Sequence, residues 1–218
     1  MKQYLNISMS VMLGMLLLNA CKKESTETPI EPTNGQRITL TKAANDNTNW
    51  KIWMDAAEAN RAGAWIDLNN NGTKDNGESI TKFGYGIEDW GTFSSGASKT
   101  IVIYGKITSL NCAENHLTAL DVSKNKELTE LYCNNNLLTS LDFTNNPDIF
   151  KVRVWKNNIK GDNMKRLVNS LPSRVAFSFG GTAGLLSNIN GVDGNSWPAA
   201  ADIAEAEAKN WSLYEWKE

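Results

Sequence analysis

Between Ile107 and Ile159 the chain repeats itself every 21 residues, and nothing else in the sequence limits the fold as tightly. The matching columns are Leu110, Leu131 and Val152; Cys112, Cys133 and Val154; Asn115, Asn136 and Asn157; and Leu117, Leu138 and Ile159. The intervening halves agree as well, Leu120-Asp121-Val122-Ser123-Lys124-Asn125 with Leu141-Asp142-Phe143-Thr144-Asn145-Asn146. A unit this short cannot enclose its own apolar side, so neighbouring copies must stack and bury one another. The period predicts a short solenoid over 106–160, its strands parallel and about 4.8 Å apart.

Within each copy, alternation sends Leu131 and Cys133 to one side of the strand and Tyr132 to the other. The Leu/Cys side is the core. Asn115, Asn136 and Asn157 stand where the chain leaves the strand, where a buried amide can bond the backbone of the adjacent copy. Cys112 and Cys133 share a core column that Val154 fills in the third copy. Both buried free thiols and, in an exported protein, a disulfide fit that placement. The outward positions are Ser109, Asn111 and Ala113, then Glu130, Tyr132 and Asn134, then Lys151, Arg153 and Trp155. Tyr, Arg and Trp dominate interface energetics, so Glu130, Tyr132, Asn134, Lys151, Arg153 and Trp155 form a candidate ligand-binding face. In the competing reading an exposed strand merely tolerates such residues and Trp155 packs against the C-terminal segment.

The start of the chain reads as an export signal over 1–20. Lys2 supplies the positive end and Val11–Leu18 the apolar run. Tyr4–Cys21, read instead as an uncleaved membrane helix, is barely long enough to span and is interrupted by Asn6, Ser8, Ser10 and Asn19. Leu18-Asn19-Ala20-Cys21 resembles a bacterial lipobox, and that resemblance implies several acyl chains on Cys21. Two or more chains anchor a protein stably where one does not. Residues 21–36 are polar with two prolines and read as a flexible tether.

Residues 37–105 alternate in short runs punctuated by Gly and Asn, which predicts a small N-terminal β domain that also covers the first repeat. Inside it, Asp67-Leu68-Asn69-Asn70-Asn71-Gly72-Thr73-Lys74-Asp75-Asn76-Gly77-Glu78 matches the D-x-[DN]-x-[DN]-G-x5-E calcium loop. Asp67, Asn69, Asn71, Asp75 and Glu78 offer side-chain oxygens and Thr73 a carbonyl, which points to one structural Ca2+. A strand rather than a helix leads into the loop, and two of the first three ligands are neutral, so weak affinity is expected. The alternative is an Asn/Gly hairpin turn without an ion. Trp50, Trp53, Trp65 and Trp90 read as core, and Glu88-Asp89 as a solvated turn.

Past Ile159 the register fades into a C-terminal α/β cap over 161–218. The pattern predicts a helix over 163–171 stopped by Pro172, strands over 175–179 and 185–189, a helix over 199–209 capped by Ser196, and a last strand over 213–216.

With these motifs in hand, the repeat is identified as a leucine-rich repeat. It resembles the cysteine-containing 21-residue repeats of some internalins, and still more those of leucine-rich-repeat surface lipoproteins of Gram-negative anaerobes. Trp65–Gly72, Ile103-Tyr104-Gly105-Lys106 and Ala206–Trp216 resemble that lipoprotein family too. The resemblance implies an outer membrane lipoprotein, exposed at the cell surface or facing the periplasm, that acts in interaction or adhesion.

A net charge of −2 without a basic patch argues against nucleic acid. The single histidine, His116, sits in a turn, and no phosphate loop, nucleophile elbow or zinc spacing is present. The sequence therefore predicts a non-catalytic binding module for a protein or glycan partner. A ligand-free structural lipoprotein and an enzyme acting on surface glycans or peptides are the remaining readings.

Overall fold

The computed structural model describes residues 35–84, 91–187 and 193–217, all within one compact unit. The export signal, Cys21, the tether up to residue 34, Glu88-Asp89 and Trp90 lie outside the described residues. The described residues are mainly β, with three short helices and two sheets.

One sheet is antiparallel. It is built from β1 (Arg37–Lys42), β3 (Trp65–Asp67), β5 (Thr100–Tyr104) and β7 (Leu117–Asp121), in the order β3-β5-β1-β7. The other has seven strands. It takes β2 (Trp50–Asp55), β4 (Gly91–Phe93), β6 (Ser109–Asn111), β8 (Glu130–Tyr132), β9 (Lys151–Arg153), β10 (Gly181–Ser187) and β11 (Trp211–Trp216), in the order β11-β10-β9-β8-β6-β2-β4. From β6 through β11 the neighbours are parallel, while β2 runs antiparallel to both β6 and β4.

The 21-residue period appears directly in the register. Ser109 pairs with Glu130 and Glu130 with Lys151; Leu110 pairs with Leu131 and Leu131 with Val152. Alternation then makes one face apolar: Met54, Leu110, Leu131, Val152 and Ala183 form a buried row across β2, β6, β8, β9 and β10. Cys112, Cys133 and Val154 are equally buried one step on, and the two cysteines are free thiols. Each copy leaves its strand through the same left-handed residue, Glu114, Asn135 or Lys156, with φ of 59°, 55° and 53°.

The asparagine column lies behind that turn. Asn136 Oδ1 accepts from the Asn115 and Leu117 amides at 3.0 and 2.9 Å, and its Nδ2 donates to the Cys112 and Cys133 carbonyls, both at 3.0 Å. Asn157 repeats the pattern against Leu138, Cys133 and Val154. Asn195 extends it outside the 21-residue spacing, bonding the Ile159 amide and the Val154 and Leu185 carbonyls. Asn115 carries the column into the preceding segment, holding the Lys51 amide and carbonyl.

The segment before the repeats is tied into them, because β1 pairs with β7 and β2 with β6. At the other end, α2 (Asp162–Ser170) buries Met164, Leu167 and Val168, one face at helical spacing, and α3 (Ala200–Ala208) packs against α2 and β11. The short α1 (Glu58–Arg61) buries nothing. Two local expectations change. Residues 175–179 are an exposed irregular loop rather than a strand, and the strand begins later, at Gly181. Ser196 does not cap α3; its hydroxyl accepts from the Gly161 amide at 3.1 Å, and Ala199 holds the N-cap position without a side-chain bond.

Candidate functional site

The outward positions gather on the outer face of the seven-stranded sheet. One cross-strand row runs Trp53, Asn111, Tyr132, Arg153, Gly184 and Tyr214 over β2, β6, β8, β9, β10 and β11. A polar row flanks it: Asp55, Ser109, Glu130, Lys151, Thr182 and Ser212. The sequence marks as outward the members on β6, β8 and β9, and puts the candidate binding face on β8, β9 and the residues just after them. Trp53, Tyr214 and Trp216 come from strands without the repeat pattern, and only the sheet order brings them here.

Arg153 is the centre of this face. Its guanidinium carbon lies 4.9 Å from the Tyr132 ring, 5.5 Å from Trp155 and 5.4 Å from Trp216. Trp155 and Trp216 are stacked, with centroids 5.4 Å apart and planes 15° off parallel. Trp53 meets Tyr132 at 5.5 Å. Gly184 permits this closure, since a Cβ there would lie 2.7 Å from the Trp155 ring and 2.9 Å from Tyr214.

The crowding changes the character of the predicted face. Tyr132 and Trp155 are each only 7% exposed, because Arg153 lies across both and Trp53 and Trp216 flank them. The accessible members are Trp216, 39% exposed, and the half-buried Lys151, Arg153, Asn134 and Asn111. Glu130 accepts from the Tyr132 hydroxyl and lies 3.6 Å from the Lys151 ammonium, which itself sits over the Tyr132 ring. Among the described residues no carboxylate pairs with Arg153, and its Nε is buried without an acceptor.

No family model, curated protein or solved structure matches this chain. Its chemistry must be read from its own residues.

The calcium-type loop follows β3. Asp67 is fully buried, its two carboxylate oxygens accepting from the Asn71 and Gly72 amides at 3.1 and 2.8 Å. Gly72 makes the turn with φ of 77°. Glu78 is also buried, and accepts from the Leu68 and Asp75 amides at 2.8 and 2.7 Å. Asn69 and Asn71 both donate to Asp75 Oδ2 at 2.9 Å, and Asn71 Oδ1 accepts from the Thr73 amide at 2.7 Å. Among the described residues no group of three His, Cys, Asp or Glu gathers round one point, so the Asn69 and Asn71 amides and the Thr73 carbonyl must complete any ligand set. Yet among the described residues no Lys or Arg pairs with either buried carboxylate. Two uncompensated anions beside neutral oxygens suit a hard cation.

A third polar cluster joins β1 to the following turn. Asp46 lies 3.0 Å from His116 Nδ1 and 3.6 Å from the Lys42 ammonium, and accepts from the Thr48 amide at 2.8 Å. Burial opposes charge on Asp46, but the Thr48 amide and hydroxyl, His116 and Lys42 outweigh it and hold the carboxyl well below the usual range. Burial pulls the buried Lys42 downward against the attraction of Asp46. Lys42 also donates to the Thr48 and Asn49 carbonyls. His116 is exposed in its turn, and the cluster fastens one loop to the repeat rather than forming a cleft. No helix among the described residues is long and apolar enough to cross a membrane.

Proposed function

We propose that this protein is a lipid-anchored envelope protein, fastened through Cys21, that binds partners on the outer face of a short leucine-rich-repeat solenoid. The stacked 21-residue register supports the solenoid reading. The observation that carries the binding reading is Arg153: a cation fixed on three rings, in the middle of a rigid sheet face, without an acid partner among the described residues. Rigid aromatic and arginine anchors with satisfied surroundings are what interface hot spots consist of. The role is adhesion to a protein or glycan at the cell surface and involves no catalysis. In the same reading the 67–78 loop takes one structural Ca2+.

The test uses the full chain. Labelled wild-type protein is expected to bind intact cells or envelope material, and Arg153→Ala with Trp216→Ala to lose most of that binding while keeping its circular dichroism. Unchanged binding would overturn the reading. Cys21→Ser is expected to release the protein from membranes and to abolish incorporation of a labelled fatty acid.

The close cover over Tyr132 and Trp155 favours a second reading, an envelope lipoprotein with no ligand, in which the ring cluster serves only to stiffen the sheet. That reading predicts cell association indifferent to Arg153 and a clear loss of thermal stability in Trp155→Ala.

A further inference from the structure

Among the described residues two arginines, Arg153 and Arg174, lie on three aromatic rings each, and they differ in one respect that bears on function. Arg174 sits 3.5 Å from the Phe177 ring with Phe150 and Phe179 nearby, but it is 2% exposed and donates to the Asp148 carbonyl. It is enclosed. Arg153 has the same ring support yet remains half-exposed, with no carboxylate to neutralise it among the described residues. Glu130, on the adjacent strand, is already engaged by the Tyr132 hydroxyl and the Lys151 ammonium. Lys151 and Arg153 against Glu130 leave this part of the face one positive charge in surplus.

We infer that the face binds an acidic glycan, with the carboxylate of a sugar acid taken by the Arg153 guanidinium and the sugar ring laid against Trp216. The inference rests on the sheet face being the binding surface. A neutral ligand covering Arg153 would strip water from a cation and return nothing for it, so a well-matched ligand carries an anion. The planar guanidinium fits a carboxylate with two parallel hydrogen bonds, and with Nε buried the two terminal nitrogens are the donors left for that purpose. Trp216, stacked nearly parallel to Trp155 and 39% exposed, presents a flat apolar surface suited to the C–H face of a pyranose. Asn111, paired across from Tyr132, and Asn134, at the repeat position equivalent to Trp155, are half-buried and offer amides for hydroxyl groups.

An extended peptide fits this place less well. Peptides gain affinity on sheets by pairing with a free edge. β8 and β9 are interior strands, whose backbone groups are already bonded to β6, to each other and to β10. Around Arg153 the face offers side chains alone, and the edge strand β11 lies two strands away.

The experiment is calorimetric titration of the full chain with trigalacturonate and 3′-sialyllactose, against maltotriose and lactose as neutral counterparts and hexaglutamate as an acidic peptide. At least one acidic saccharide is expected to bind ten-fold or more tightly than its neutral counterpart, and to weaken as salt is raised. Arg153→Gln should reduce that binding at least ten-fold, Arg153→Lys by an intermediate factor because it keeps the charge without the fork, and Trp216→Ala several-fold. Thermal melts of each variant separate loss of binding from loss of fold. Equal binding of neutral and acidic sugars, indifference to Arg153→Gln, or binding of hexaglutamate alone would overturn the inference. If no saccharide binds while attachment to cells still depends on Arg153 and Trp216, the glycan assignment falls and the binding face stands. If attachment to cells is also unaffected, both fall.

Discussion

Asn157 donates its side-chain amide to the carbonyl of Cys133, 24 residues earlier, at 3.0 Å. Asn136 makes the same bond to Cys112, so consecutive copies are laced through a buried side chain as well as through the strand ladder. Each of these asparagines satisfies backbone groups that no neighbouring strand reaches, at the point where the chain turns out of the sheet.

Asn136→Ala is therefore expected to be among the most damaging single changes. It removes four buried hydrogen bonds, to Asn115, Leu117, Cys112 and Cys133. Buried groups left without partners cost about 1–3 kcal/mol each, and partial relaxation leaves a net loss on the order of 3 kcal/mol in urea titration. The exposed Asn145→Ala is expected to stay within about 0.5 kcal/mol of wild type. Similar midpoints for the two variants would refute the lacing role.

The thiol column makes a separate prediction. Burial pushes both the Cys112 and Cys133 thiols above their ordinary range, so neither presents a reactive thiolate. Iodoacetamide at pH 8 is expected to label them only as fast as the chain unfolds. Cys133→Val should be tolerated within about 1.5 kcal/mol because the swap nearly conserves volume, and Val154 already fills the equivalent place with no exposure. Cys133→Ser should lose about 2 kcal/mol by burying an unmatched hydroxyl. Rapid labelling of native protein would contradict this account.

These two columns were legible in the sequence because each repeats at a fixed spacing, and the strands β6, β8 and β9 fell where the period placed them. Asn195 was not legible. It does the work of the next asparagine, but α2 and the 175–179 loop intervene and the 21-residue count is lost. The outer face was half legible for a related reason. Alternation along β8 and β9 identified Tyr132, Arg153 and Trp155 as outward, whereas their burial depends on Trp53 and Trp216, which sheet order alone brings beside them. The loop over 175–179 carries the alternation of a strand, Val175, Phe177 and Phe179, yet stays irregular because the sheet position next to β9 is taken by Gly181–Ser187.

Acid should loosen the junction between β1 and the first repeat. The carboxyl of Asp46 titrates well below its unfolded value, so its contribution is present above that value, about 3.9, and fades as pH falls through the lower folded one. Asp46→Asn is expected to destabilise the protein at pH 7, with the gap to wild type closing progressively below about pH 4. Urea midpoints at pH 7, 5 and 3 check this, and a gap that is constant across the three would remove Asp46 from the account.

Calcium is expected to stabilise the fold through the 67–78 loop. Asp67 and Glu78 are buried with only backbone amides as partners among the described residues. An ion there compensates the two carboxylates, and the neutral Asn69 and Asn71 keep the affinity low, in the range of about 10⁻⁴–10⁻³ M found in extracellular modules. At ten times such a dissociation constant, linkage gives about 1.4 kcal/mol. For a domain of this size that is about 3–6 °C in Tm. Melts in calcium chloride and in EDTA read the shift, with magnesium as the control for a general ionic effect. Asp75→Ala, on the exposed side of the loop, should remove most of the calcium response while changing the EDTA melt little, because Asp75 bonds only the Asn69 and Asn71 side-chain amides through its carboxylate. A Tm identical in calcium and EDTA would mean that the loop is closed by its hydrogen bonds alone.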